Sequence, residues 1–307
     1  MSLKLQGYID LPEHQQDGGF DHAAVHPAKH LLYVAHTSND VLNVIDCASD
    51  RYLRSITNLT GVAGALVSEE RNLVFTSNRG EDTVSIFSSD DEVGATKIEV
   101  GIRPNGLSFD PKHGFLLVAN VGNPDIPNSF TVSIVDVERR EMIHSIPVPG
   151  RTRWTIFDSN SGCFYVNIAD PSQIVVIESA NPTRIARSMA IPAKGPHGLD
   201  LDPASNQLFC ACDAGTLFAL DASTGRIQRE AGLSGTPDVI FYNAALQHLY
   251  VAIGDPGVID VFDTTELRKL ETVKTERGAH TIAFDPERNK VYAFLPETHR
   301  AMALLDE

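Results

Sequence analysis

The chain has 307 residues, with 25 Lys and Arg against 40 Asp and Glu and a formal net charge of −15. That balance excludes nucleic acid and an anionic membrane surface as main partners, because both are met by a basic footprint. A domain of this size buries about three quarters of its unfolded surface and needs neither disulfides nor a metal merely to fold.

Residues 1–10 carry no basic stretch followed by an apolar run, and no apolar run elsewhere reaches membrane-spanning length. The expectation is a soluble, cytoplasmic protein as the sequence stands, or a periplasmic or secreted one if a signal peptide has been removed. The stretch Leu3-Lys4-Leu5-Gln6-Gly7-Tyr8-Ile9 has strand character and stands before the first full repeat.

From there one unit recurs. His26-Pro27 marks a turn, Leu32-Tyr33-Val34-Ala35 a strand apolar on both faces, and Val44-Ile45-Asp46 the next strand. The apolar strand returns as Leu73-Val74-Phe75-Thr76, Leu116-Leu117-Val118-Ala119, Phe164-Tyr165-Val166-Asn167, Leu208-Phe209-Cys210-Ala211, Leu249-Tyr250-Val251-Ala252 and Val291-Tyr292-Ala293-Phe294. Its successor returns as Ile86-Phe87-Ser88, Ile134-Val135-Asp136, Val176-Ile177-Glu178, Ala219-Leu220-Asp221, Val261-Phe262-Asp263 and Leu304-Leu305-Asp306. The spacing is about 42 residues, the mark of a radial array of small sheets. Seven copies predict a seven-bladed β-propeller, all-β, in one domain over residues 1–307. No window holds a 3.6-residue apolar period, so helix is expected to be scarce.

The third repeat is longer than the rest. The excess, Val121-Gly122-Asn123-Pro124-Asp125-Ile126-Pro127-Asn128-Ser129, lies between its second and third strands and is either a functional loop or a neutral excursion. The fifth repeat is the most regular, with strands expected over 198–202, 207–212, 217–220 and 226–231. Its Asp202-Pro203 turn matches Asp110-Pro111 and Asp285-Pro286, where the acidic residue sets the turn and proline fixes it. The chain stops just past Asp306, so the seventh blade lacks a fourth strand; residues 3–9 are expected to supply it and close the ring. Cys47, Cys163, Cys210 and Cys212 show neither a disulfide framework nor C-x-x-C spacing and read as small buried apolar residues.

The Leu-Tyr-Val-Ala strands, the Asp-Pro turns and the Val-Ile-Asp strands together resemble the YVTN-repeat β-propeller family, including its YncE-like branch, over essentially the whole chain. The resemblance implies the propeller strongly and an activity weakly. Related propellers include lactonases, gluconolactonase-like hydrolases with a channel metal on Glu, Asn and Asp ligands, and proteins of no known reaction. That ligand set is not matched residue for residue here.

In a propeller the first strand of each blade lines the central channel. Counting back six residues from each first-turn proline or its equivalent gives Asp21, Ala63, Asn105, Arg153, His197, Asp238 and His280, with His22 beside Asp21. These positions are equivalent by repeat and converge on one mouth. Such polar convergence in a concavity is the signature of a binding site; the alternative is a hydrated channel. His22, His197, His280 and Asp238 are candidate catalytic residues and candidate ligands for one divalent metal (Zn, Mn, Fe, Ni or Ca), or a metal-free acid–base set. Arg103, Asn105, Arg153, Trp154 and His36 are candidate substrate-binding residues, with Arg151 and Arg277 as further rim cations able to hold an anion. The second-strand exits His36, Asn78, Asn120, Asn167 and Asp213 join the same rim, the asparagines first of all as turn holders.

There is no G-x-S-x-G elbow, Walker loop or G-x-G-x-x-G. Two functions stay open. One is a hydrolase for a small anionic lactone, ester or phosphoester; the other is a non-catalytic propeller that uses the rim to bind a small anion, a peptide or a protein.

Overall fold

The structure is a computed structural model that describes residues 3–307, Val93 by its backbone alone. Its strands form seven four-stranded antiparallel sheets, six of them made from four consecutive strands. The seventh combines Ile282–Asp285, Lys290–Leu295 and Arg300–Asp306 with the N-terminal strand Leu3–Asp10. Leu3 pairs with Asp306 and Asp10 with Arg300, so the two ends of the chain share one sheet. The expected closure by the N-terminal segment is therefore present, and among the described residues helix is confined to the short 3-10 turns Pro27–Lys29 and Thr37–Asn39. In the fifth blade the outer strand is Ile227–Gly232, one residue further along than expected.

The second and third strands of each blade are apolar on both faces because each blade is sandwiched between two neighbours. Tyr33, Tyr165, Tyr250 and Tyr292 are fully buried there, with Phe75, Phe164, Phe209 and Phe294. The core is a chain of inter-blade clusters; one joins Tyr292 and Phe294 of the last blade to Leu32 and Val34 of the first. Each large side chain so buried contributes roughly 1.5–3 kcal/mol. All four cysteines are buried and free.

The Asp-Pro turns follow from side-chain chemistry. Asp110, Asp202 and Asp285 each accept a hydrogen bond from the backbone N–H two residues on, and Asp158 and Asn243 do the same in the blades that lack proline. The long third-blade loop closes on itself: Ser129 Oγ accepts from Asn123 N–H at 2.8 Å and donates to Asn123 O at 2.6 Å.

The inner strands are Phe20–His26, Val62–Ser68, Pro104–Asp110, Thr152–Asp158, Pro196–Asp202, Pro237–Asn243 and Ile282–Asp285. In the first six the pairing slips just after the strand begins, as between Thr152 and Thr155 or Pro196 and Gly198. A bulge frees residues from the ladder and re-aims their side chains. Here the freed residues sit at one mouth of the channel.

Candidate functional site

The inner strands carry the seven repeat-equivalent positions at the same end: Asp21, Ala63, Asn105, Arg153, His197 and Asp238 are each second in their strand, and His280 stands just before the seventh. His197 is the hub of this upper mouth. Its Nδ1 lies 2.7 Å from Asp213 Oδ1 and its Nε2 3.1 Å from Asp238 Oδ1. Burial alone would lower its pKa, but the carboxylates of Asp238 and Asp213 overcome that and raise it to about 9. His197 is thus an imidazolium at neutral pH, donating from both nitrogens. With Nε2–H committed to Asp238, the 3.1 Å approach of Arg153 Nη1 to the same nitrogen is not a hydrogen bond; Arg153 is held instead by Nη2, 3.1 Å from Asp213 Oδ2. Asp238 is desolvated, which would raise its carboxyl, yet His197, His280 and His22 hold it well below the usual carboxylate range.

Asn167 fixes the hub from the neighbouring blade by donating to the backbone oxygens of His197 and Gly198. Asn78 and Asn120 donate to hydroxyls on the third strands of their own blades, so they tie the second strand to the third through side chains and not, as expected, by bonding turn backbone.

His22 behaves oppositely to His197. Burial lowers its pKa, and although Asp21 and Asp238 pull it back up, the ring stays neutral. Its Nε2 is 3.4 Å from Asp21 Oδ1, and its buried Nδ1 has no partner. Its ring stacks on Trp154, with centroids 4.0 Å apart and planes at 34°. His22 belongs to the first blade and Trp154 to the fourth, so the contact crosses the ring and the indole bars the channel.

One residue of this network escaped the sequence reading and another was placed on the rim without a partner. Arg79 donates to Asp21 Oδ2 at 3.1 Å and to Asn105 Oδ1 at 2.6 Å, tying three blades together. Asp213, expected on the same rim with no partner assigned, is the counter-ion of both His197 and Arg153. Both stand one residue past the end of a second strand, Leu73–Asn78 and Gln207–Cys212, so aligning the repeats on that end would have found them.

Around this balanced network lies an excess of positive charge. Arg151 is depressed by burial and then by Arg153, Arg103 and Arg79, which places four guanidiniums within electrostatic reach of one another. Among the described residues neither the Arg103 nor the Arg151 side chain has a carboxylate partner, and the buried Nε atoms of Arg79 and Arg153 have none either. Arg277 is engaged elsewhere, with exposed Asp255.

His36 is not part of this group. It is fully buried, with Nδ1 3.0 Å from Asn43 Nδ2 and Nε2 2.7 Å from His14 Nδ1. Burial and the neighbouring His14 and His299 push it down to about 4. The expectation that it binds substrate is corrected: the ring turns into the junction between the N-terminal segment and the first blade. Nor do His22, His197, His280 and Asp238 fit a metal as they stand. His197 donates from both nitrogens and offers no lone pair, and although His280, with Nδ1 2.7 Å from Gly278 O, keeps Nε2 free, no group of three or more His, Cys, Asp or Glu among the described residues is arranged as a cage.

No protein-family model matches the chain, and no curated protein matches it. Solved structures do. The chain is similar to one titled "Kuenenia stuttgartiensis Hydrazine Synthase", with a TM-score of 0.83 and 14% identity over 96% of this chain and 97% of that one. It is also similar to one titled "Crystal Structure of Mitotic Checkpoint Complex", with a TM-score of 0.81 and 12% identity over 99% of this chain and 92% of that one. At these identities the likeness shows the seven-bladed propeller fold alone. Among the described residues no helix is long and apolar enough to cross a membrane.

Proposed function

We propose that the upper mouth binds a small anion of the carboxylate or phosphate-ester class. The observation that carries this reading is the uncompensated guanidinium pair, Arg103 and Arg151, beside Arg79 and Arg153 on a chain of net charge −15. The four guanidiniums repel one another, and a bound anion relieves that repulsion. Asp213 and Asp21 hold Arg153 and Arg79 in place without neutralising the outer pair, so the donors are oriented before the anion arrives. Calorimetric titration of inorganic phosphate and of small carboxylates tests the reading. One-site binding that weakens with salt and is lost in Arg103→Glu/Arg151→Glu supports it; no binding by either class overturns it.

A second reading adds turnover, and the neutral, unpartnered His22 favours it. In a lactone, ester or phosphoester held by the arginines, His22 Nδ1 would accept a proton from a water whose oxygen bonds to the carbonyl carbon or phosphorus. The ring or ester bond to the leaving oxygen then breaks, and the proton passes to that oxygen. Arg151 and Arg153 would stabilise the negative charge that develops. Hydrolysis of a lactone, ester and phosphoester panel, abolished in His22→Ala with anion binding intact, separates this from binding alone.

A further inference from the structure

Beneath the Trp154 barrier the channel opens toward the opposite rim as a second, chemically distinct chamber. It has lobes of about 430 Å³ and about 540 Å³ that share Leu66, Val67, Trp154 and Phe241 in their walls. The residues that project here come from the middle and far end of the inner strands, and they are mostly aliphatic and aromatic. One repeat position breaks the rule. Where the other blades carry Ala24, Leu66, Ser108, Ile156, Phe241 and Ala283, the fifth carries Asp200.

Asp200 is held by backbone alone. Its Oδ2 accepts from Tyr242 N–H at 2.7 Å and its Oδ1 from Leu201 N–H at 2.8 Å. Two accepted bonds leave further lone pairs on the carboxylate. It makes no ion pair, and no Lys, Arg or His lines either lobe. Burial raises its carboxyl to about 6, against which the two backbone donors act only in part. At neutral pH the wall therefore carries an anion without a counter-charge. Glu69 and Glu70 line the chamber as well, at the turn that follows the second inner strand.

We infer that this lower chamber binds an organic ammonium ion with an apolar body. The cationic head would sit against the Asp200 carboxylate and the faces of Trp154 and Phe241, and the body would fill the apolar remainder. An aromatic wall attracts a cation through the negative faces of its rings, and most strongly when the cation is desolvated. A single carboxylate in such a wall supplies the charge selectivity that apolar surface lacks, and a chamber of this size suits a small drug-like molecule. The site and its ligand are independent of the anion proposed for the upper mouth.

Benzyltrimethylammonium, whose charge does not change with pH, is the probe, titrated into the full chain by calorimetry with Trp154 fluorescence as a second readout. The charged and titratable groups that share the chamber walls with Asp200 are Tyr242, pushed up to about 12 mainly by burial, and the carboxylates Glu69 and Glu70. One-site binding is expected at pH 7.5, weaker by about tenfold at pH 5.0, where most Asp200 in the free protein is protonated. Asp200→Asn should weaken it at least as much and remove the pH dependence, whereas Arg151→Glu should leave it unchanged. Benzyl alcohol, of similar body and no charge, should bind far more weakly. Failure of the probe to bind, equal binding of benzyl alcohol, or indifference to both pH and Asp200→Asn would overturn the inference. Should Asp200→Asn fail to fold, the pH and benzyl alcohol comparisons on the unaltered chain decide it.

Discussion

The two halves of the channel are built from the same seven strands and are electrostatic opposites. Above Trp154, bulges release charged side chains into a network of three carboxylates, one imidazolium and two arginines, with Arg103 and Arg151 in excess. Below it, regular pairing resumes and apolar residues face the axis, with Asp200 the one carboxylate inside their layer. The lesson is that local backbone irregularity, and not a separate insertion, sorts polar from apolar chemistry along one strand. Arg153 and Trp154 are adjacent in sequence and serve opposite halves.

The sharpest way to break the contrast is Trp154→Ala. It should cost about 3–5 kcal/mol if the indole packs as a core aromatic, measured by urea unfolding. It should also let ligands of the two halves affect each other's binding, where in the unaltered chain they act independently. Next in size is the pH dependence of the upper network. His197 has its folded pKa raised from 6.5 to about 9, so its contribution is fully present below about 6.5 and is lost as pH rises through about 9. The shift corresponds to roughly 3 kcal/mol. Melting temperature should fall between pH 7 and 9.5, and His197→Gln should flatten that fall.

Asp213→Asn should cost about 1–3 kcal/mol, because it removes the carboxylate shared by Arg153 and His197 at a site still partly open to water. It should also bring the His197 pKa down, which NMR titration of the ring reads directly. The smallest change in stability, within about 0.5 kcal/mol, is expected for Arg103→Glu and Arg151→Glu, whose side chains have no protein partner. The same substitutions should weaken anion binding about tenfold or more, measured by calorimetry, and leave the lower chamber untouched.

The fold was legible because buried second strands must be apolar on both faces and their turns need Asp, Asn or Pro, so the repeat prints itself seven times. The inner ring was legible for the same reason: Asp21, Asn105, Arg153, His197 and Asp238 hold fixed distances from the turn. Side-chain direction beyond that register was not. His36 shares a rim with the site but turns its ring toward His14 and Asn43. Asp213 was placed on the rim but set beside Asn78, and that one position of slip hid its equivalence to Arg79. Asp200 sat unremarked between Leu199 and Leu201, since an alternating strand gives no sign of which face meets the axis.

The pairing of Leu3–Asp10 with Arg300–Asp306 ties the first residues to the last. A nascent chain leaving the ribosome can stack blades in order, but the disc cannot lock until Arg300–Asp306 has been made, and contacts so distant along the polymer form slowly. The same junction sets Leu3 beside Asp306 on the two outermost strands of the last blade. Joining them with a short linker and reopening the ring between any two other blades should yield the same disc with a different starting point.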